Sequence, residues 1–101
     1  MPRILLHLRI RVQPGRRADL IQFLREAVPF YERPGGIRVL LYEDAADPER
    51  FLEVVEYAGE AEYDADQQRV EHDPGMRRYL DRWRALLQGP PEVEVYREVG
   101  P

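Results

Sequence analysis

The sequence lacks five residue types, and their absence removes several classes of chemistry. It has no Lys, Ser, Thr, Asn or Cys, so all 15 of its basic residues are Arg. Covalent catalysis through a Ser, Thr, Cys or Lys nucleophile is therefore excluded, as is a P-loop, which needs a Lys and a hydroxyl. Without Cys there are neither disulfides nor thiolate metal sites. The lack of Asn and Cys, with nine Pro, is typical either of a high-temperature source or of a GC-rich gene.

Long apolar runs are also missing. No stretch reaches the roughly 18 apolar residues of a membrane span, and no charged-then-apolar leader precedes Ile4, so we expect a cytoplasmic protein. The net charge of −4 argues against nucleic-acid binding. We expect one domain over residues 1–101. Glu71, His72 and Asp73 are adjacent, but neighbours in one segment rarely converge on one ion, so we predict no metal site and no cofactor.

The first strand has two faces of different character. Residues 4–12 alternate with period two, which predicts a strand with one face on a core. One face carries Ile4, Leu6, Leu8, Ile10 and Val12, and the other carries Leu5, His7, Arg9 and Arg11. The second face is an ordinary solvated surface if it is open to water, and a polar pocket if something covers it.

A helix and a hairpin follow the first strand. Apolar residues over 16–28 have helical spacing, and Pro29 is expected to end or kink that helix. Residues 37–43 and 51–58 predict the two strands of a hairpin. The second of these strands is rich in β-forming residues on both faces, which indicates a central position in its sheet.

The remainder of the chain completes a known element order. A polar helical stretch over 60–71 is broken at Asp73-Pro74-Gly75, and a regular apolar stripe then predicts a helix over 76–87. Alternation over 93–99 predicts the last strand. The order is therefore β-α-β-β-α-β, which is that of a ferredoxin-like α+β fold with a four-stranded antiparallel sheet and both helices on one face.

The other face of such a sheet is bare. It would carry Leu5, Leu40 and the polar groups of the first strand. From the third strand it would carry either Phe51 and Val55 or the residues that alternate with them. This is too much exposed apolar surface for a monomer. We therefore predict a homodimer whose two sheets pack face to face.

Two local patterns connect the chain with a known family. Phe51-Leu52 is followed on the third strand by the aromatic Tyr57, and Asp73-Pro74-Gly75-Met76 precedes another aromatic, Tyr79. With the element order, these patterns make nearly the whole chain similar to the dimeric α+β-barrel superfamily, in particular its antibiotic-biosynthesis-monooxygenase-like domains. The resemblance implies a dimeric α+β barrel with a small-molecule site in each subunit and cofactor-independent oxygenase chemistry.

The chain departs from the family pattern at several positions. A Glu that is common two residues before the strand-3 aromatic is Val55 here, and the His expected after the helix-breaking Pro is Gly75. Tyr57 stands where Trp also occurs, and the Asn on which oxygenases of this group rely is absent from the chain. The resemblance thus predicts the fold and leaves the reaction open.

We place the candidate site on the polar face of the sheet. There, His7 would act as general base, and Arg9 or Arg38 would stabilise a substrate anion in a cavity poor in water. The predicted catalytic residues are His7 and Arg9, and the predicted substrate-binding residues are Arg38, Tyr42, Glu53, Tyr57 and Tyr96. Of the three tyrosines, the resemblance favours Tyr57. The predicted activity is a monooxygenase-like reaction on an aromatic or enolisable substrate.

Alternatives remain for each of these roles. The alternative for His7 is a hydrogen-bonded structural residue at a subunit interface. The arginines could pair with the carboxylates of Glu53, Glu94 or Glu98, because Arg-rich and Glu-rich strands pair well. The chain would then be a non-catalytic binding or structural homodimer with an ion-paired barrel interior. A regulatory module that senses a small molecule is a third possibility.

Overall fold

The four predicted strands form one sheet. In the computed structural model, which describes residues 2–100, β1 (Ile4–Arg11) lies between β3 (Arg50–Tyr57) and β4 (Glu92–Arg97), and β2 (Ile37–Glu43) forms the edge beside β3. All three pairings are antiparallel. The ferredoxin-like fold, the hairpin and the central third strand are therefore confirmed. β4 ends two residues before Val99, so the last strand is shorter than predicted. The predicted domain extends beyond the described range by one residue at each end.

Three helices pack on one face of this sheet. They are α1 (Arg17–Glu32), α2 (Glu60–His72) and α3 (Pro74–Ala85). The predicted break between α2 and α3 is a helix cap, since the Asp73 carboxylate accepts two backbone N–H bonds, of 2.7 and 3.3 Å, from the first turn of α3. Within residues 2–100, the helices are too short or too polar to cross a membrane.

Pro29 is predicted to end or kink the helix α1, and the helix continues for three residues beyond it, to Glu32. Pro29 lies in the last turn, where its missing N–H costs a single backbone hydrogen bond. Arg69 of α2 supports this turn because its guanidinium donates to the carbonyls of Phe30 and Tyr31, at 2.8 and 3.1 Å. Carbonyls at a helix end have no partner within the helix. A tertiary contact that the sequence does not reveal thus sets the end of α1.

The core lies between the sheet and the helices, and it has two apolar clusters. The larger includes Ile10, Val12, Leu20, Phe23, Leu24, Phe51, Trp83 and Leu86. The smaller is formed by Ile4, Val55 and Tyr57. The even-numbered face of β1 therefore faces the core, as its alternation predicts.

The opposite face of the sheet is covered by no element of residues 2–100. The strand registers place there Leu5, His7, Arg9, Arg38, Leu40, Tyr42, Leu52, Val54, Glu56, Glu94 and Tyr96. Phe51 and Val55 belong to the core clusters, so Leu52 and Val54 are the alternates that face outward. We call this surface the open face.

Candidate functional site

A cavity of about 270 Å³ lies between the sheet and the helices. Apolar side chains of all four strands line it on one side, and residues of α2 and α3 line it on the other. A cavity of about 150 Å³ accommodates benzene, so this one has room for roughly two fused rings. Apolar cavities with a few converging polar groups are the usual sites for small molecules.

Glu53 is a buried carboxyl that borders this cavity. On β3 it pairs with Leu8 of β1 and Leu41 of β2, so the alternation of the strand directs its side chain toward the helices. It is 4% exposed, and its Oε1 has no hydrogen-bond partner within residues 2–100. Burial raises the pKa of Glu53 to about 7, and the nearby Trp83 N–H, in a contact too poor in geometry to satisfy either group, offsets part of the rise. A carboxyl with this pKa can gain or lose a proton at neutral pH.

Trp83 contributes a second polar atom without a partner. Its indole is 5% exposed and borders the same cavity from α3. The indole lies near enough to Glu53 to affect the pKa of that carboxyl, yet its N–H makes no hydrogen bond of good geometry within the described residues. Buried indole N–H groups usually have a partner. The cavity therefore presents a free donor near a free acceptor.

A hydrogen-bond network links the sheet to α2 beside the cavity. The hydroxyl of Tyr57 donates to Oδ2 of Asp66 at 2.5 Å, and Oδ1 of Asp66 lies 3.4 Å from the Arg69 guanidinium. Burial, and then the hydrogen bond to Asp66, raise the pKa of the Tyr57 hydroxyl. This hydroxyl therefore stays protonated and engaged, and its role is to hold α2 against the sheet.

Tyr31 brings a further hydroxyl to the cavity from α1. Burial, and then the negative charge of Glu53, raise the pKa of Tyr31. The rings of Tyr31 and Tyr79 pack edge to face with their centroids 6.0 Å apart, which fixes the orientation of Tyr31. Tyr31 is therefore a neutral, well-positioned part of the wall.

The residues predicted to form the site lie on two opposite faces of the sheet and are not brought together. Glu53 and Tyr57 line the cavity. His7, Arg9, Arg38, Tyr42 and Tyr96 lie on the open face. The cause is the alternation of strands, because β1 pairs Leu8 with Glu53 but His7 with Val54 on the other face.

On the open face, the predicted residues interact with one another and with carboxylates. The ring of His7 lies 5.0 Å from that of Tyr96, and Arg9 forms an ion pair of 3.1 Å with Glu94. Of the carboxylates considered as partners for the arginines, Glu53 is buried on the other face. Glu98 accepts the backbone N–H of Arg3. The open face is thus partly ion-paired within one chain.

The structure offers no evident metal centre. Across residues 2–100, no three His, Asp or Glu side chains are grouped closely enough to hold a metal ion. His72 is exposed and lies 3.5 Å from the carboxylate of Glu71. The cavity lining contains no His, so its candidate chemistry rests on carboxyl, indole and hydroxyl groups.

Sequence reasoning missed Trp83 and Asp66. Trp83 lies on the apolar stripe that predicts α3, and such a position indicates a core residue, which describes its ring but says nothing about its N–H. Asp66 lies in a helix that is polar throughout and gives no signal. Glu53 was grouped with the residues of the polar face, but the structure places it on the side of the helices. The sequence indicates this side, because Glu53 shares a strand face with the apolar Phe51 and Val55.

Comparisons with known proteins place the chain in context. The family model for antibiotic biosynthesis monooxygenases matches residues 3–78. A Bordetella bronchiseptica protein named for the same family has 24% sequence identity and a TM-score of 0.80, over 99% of this chain and 100% of that one. A conserved protein from Methanosarcina mazei has 16% identity and a TM-score of 0.82, over 97% and 94% of the two chains.

A third structure carries a functional name. A variant of SnoaB, a cofactor-independent oxygenase from Streptomyces nogalater, has 15% identity and a TM-score of 0.81, over 98% of this chain and 95% of that chain. At these identities the structural likenesses support the fold alone. No curated protein matches the chain by sequence.

Proposed function

Because the chain belongs to the antibiotic biosynthesis monooxygenase family, we propose that it carries out a monooxygenase-like reaction without a bound cofactor. The substrate is an aromatic or enolisable small molecule held in the cavity between sheet and helices. One observation carries this proposal: the buried carboxyl of Glu53 borders an apolar cavity and has an unpartnered oxygen. The family's usual carboxyl position is occupied by Val55, and Glu53 lies two residues earlier on the same strand face.

Glu53 acts as the proton acceptor in this reaction. Loss of the hydroxyl proton makes a phenol or enol electron-rich, and the resulting anion reduces oxygen without help from a flavin or a metal. The atoms balance for a monophenol: phenol and O₂ give a quinone and water, so the substrate supplies all the electrons. A pKa of about 7 for Glu53 leaves a substantial ionised fraction at neutral pH. The mostly apolar walls strengthen electrostatic interactions with the anion.

Oxygen uptake tests the proposal. With 1-naphthol as substrate at pH 7.5, and with no flavin, haem or metal added, we expect protein-dependent oxygen consumption and formation of 1,4-naphthoquinone. Glu53→Gln keeps the size of the side chain but removes the proton acceptor, so we expect the rate to fall at least roughly 100-fold. The matched control is Glu56→Gln, on the same strand but on the open face, which should retain the rate. Equal rates in wild type and Glu53→Gln would refute the assignment of Glu53.

We also propose that two chains associate through their open faces. Leu5, Leu40 and Leu52 are only partly buried on that face, and Tyr42 and Tyr96 are 52% and 45% exposed. A second sheet would cover these side chains. Light scattering at micromolar concentration should give a mass near twice the 11.9 kDa of one chain. A mass equal to one chain would contradict this assembly.

A second candidate function is that of a non-catalytic binding or structural dimer. The ion pair between Arg9 and Glu94 on the open face favours it, because two packed open faces would then enclose an ion-paired interior. In that case 1-naphthol would bind without oxygen uptake. The same experiment therefore separates the two functions.

A further inference from the structure

Two orphaned polar atoms of opposite character border the same cavity. Oε1 of Glu53 is a free acceptor when the carboxyl is ionised, and the indole N–H of Trp83 is a free donor. Both residues are more than nine-tenths buried. A buried polar group without a partner is unfavourable, so a ligand that completes both bonds gains from each.

The position of Trp83 gives it a role distinct from that of Glu53. It lies on α3, beyond residues 3–78 that the family model matches. Its ring packs in the larger core cluster, so the direction of the N–H is fixed before a ligand arrives. A donor fixed in this way orients a ligand atom at little entropic cost.

We propose that Trp83 is the specificity-determining residue of the cavity and that it selects ligands with a protic oxygen. This inference rests on the proposed function and names how the site recognises its substrate. The ligand oxygen accepts a hydrogen bond from the Trp83 N–H and donates its own proton to Oε1 of Glu53. When that proton moves to Glu53, the ligand oxygen becomes an anion and keeps the bond from Trp83, which strengthens as negative charge develops.

The charges around the cavity indicate a neutral ligand. Among the lining residues within 2–100, Glu53 and Asp66 are carboxylic acids and Arg84 is the single basic residue. The Arg84 side chain is 59% exposed and lies 3.8 Å from Asp81. No cation therefore compensates for a ligand carboxylate or phosphate placed beside Glu53. A hydroxyl or enol on an apolar ring system satisfies both orphaned atoms without adding charge.

A matched pair of probes tests the inference. 1-Naphthol has the protic oxygen, and 1-methylnaphthalene has similar size and shape without it. We expect wild type to bind 1-naphthol at least roughly tenfold more tightly, and Trp83→Phe to lose most of this preference while still binding 1-methylnaphthalene. Because the chain has one Trp, its indole N–H gives a single side-chain resonance in a ¹H–¹⁵N spectrum. That resonance should move downfield with 1-naphthol only, which tests the donor role in wild type even if Trp83→Phe fails to fold.

The outcomes separate this inference from the proposed function. If both probes bind equally and the indole resonance responds alike, the cavity is a binding site but the role of Trp83 is refuted. If neither probe binds, the proposed function fails, and this inference fails with it. If 1-naphthol binds preferentially but no oxygen is consumed, the role of Trp83 in recognition stands and the oxygenase reaction is refuted.

Discussion

Replacing Glu53 with Gln should change how the stability of the protein depends on pH. The folded protein binds the carboxyl proton more tightly than the unfolded chain does, since burial raises the pKa from 4.5 to about 7. The wild-type protein is therefore most stable, with respect to this group, below pH 4.5. It loses stability as the pH rises through about 7, where a charge forms in the apolar cavity. Gln remains neutral throughout, so the variant lacks this loss.

The size of the effect follows from the shift in pKa. Each pKa unit corresponds to about 1.4 kcal/mol, so the free energy of unfolding of Glu53→Gln should gain on the order of 3 kcal/mol relative to wild type between pH 4.5 and pH 8. For a domain of this size, that is a relative rise in Tm of roughly 10–20 °C. The amide introduced by Glu53→Gln has unsatisfied N–H groups of its own. Their effect on the free energy of unfolding is the same at every pH.

Urea denaturation followed by circular dichroism at pH 5, 6, 7 and 8 measures this difference. The protein concentration has to be held constant, because a dimer's apparent stability depends on it. Asp64→Asn, at an exposed position of α2 away from the cavity and the open face, is the control, and its difference from wild type should not grow with pH. A difference between Glu53→Gln and wild type that is constant from pH 5 to pH 8 would refute the reasoning, since it would mean that the carboxyl ionises freely in the folded protein.

Three further substitutions test other parts of the structure. Tyr57→Phe leaves a buried oxygen of Asp66 without its partner and should lower the free energy of unfolding by about 1–3 kcal/mol; an unchanged midpoint in urea would show that water replaces the hydroxyl. Asp73→Ala removes the cap of α3 and should cost about 1 kcal/mol; a thermal melt identical to wild type would contradict the role of the cap. His7→Ala should retain the turnover of 1-naphthol, because His7 lies on the open face; loss of turnover with intact folding would instead support His7 as the base.

Local sequence patterns were sufficient to predict most of the fold. The alternation of β1, the apolar stripe of α3 and the Asp73-Pro74-Gly75 break each have a direct physical cause in one segment of chain. The end of α1 lies three residues beyond Pro29, where the Arg69 guanidinium, from another element, supports the last turn. A pattern within one segment of sequence does not predict contacts between distant segments.

The site was harder to predict because a cavity is a property of packing. A row of polar side chains on β1 drew attention to His7 and Arg9, whereas the cavity lies where the helices and the sheet leave a gap on the apolar face. The position of Glu53 could have been inferred, since it shares a strand face with Phe51 and Val55. That the N–H of Trp83 would be left free beside it depends on the angle at which α3 crosses the sheet, and no pattern in the sequence encodes that angle.

The alternation of β3 limits the positions at which a carboxyl on this strand can face the cavity. Side chains two residues apart on a strand lie on the same face, about 6.6 Å from each other. Val55, one such step from Glu53, also lines the cavity. Exchanging the two side chains would therefore move the acid by nearly the width of a fused ring pair while leaving the composition of the core unchanged. The relocated acid would then face a different atom of the same bound molecule.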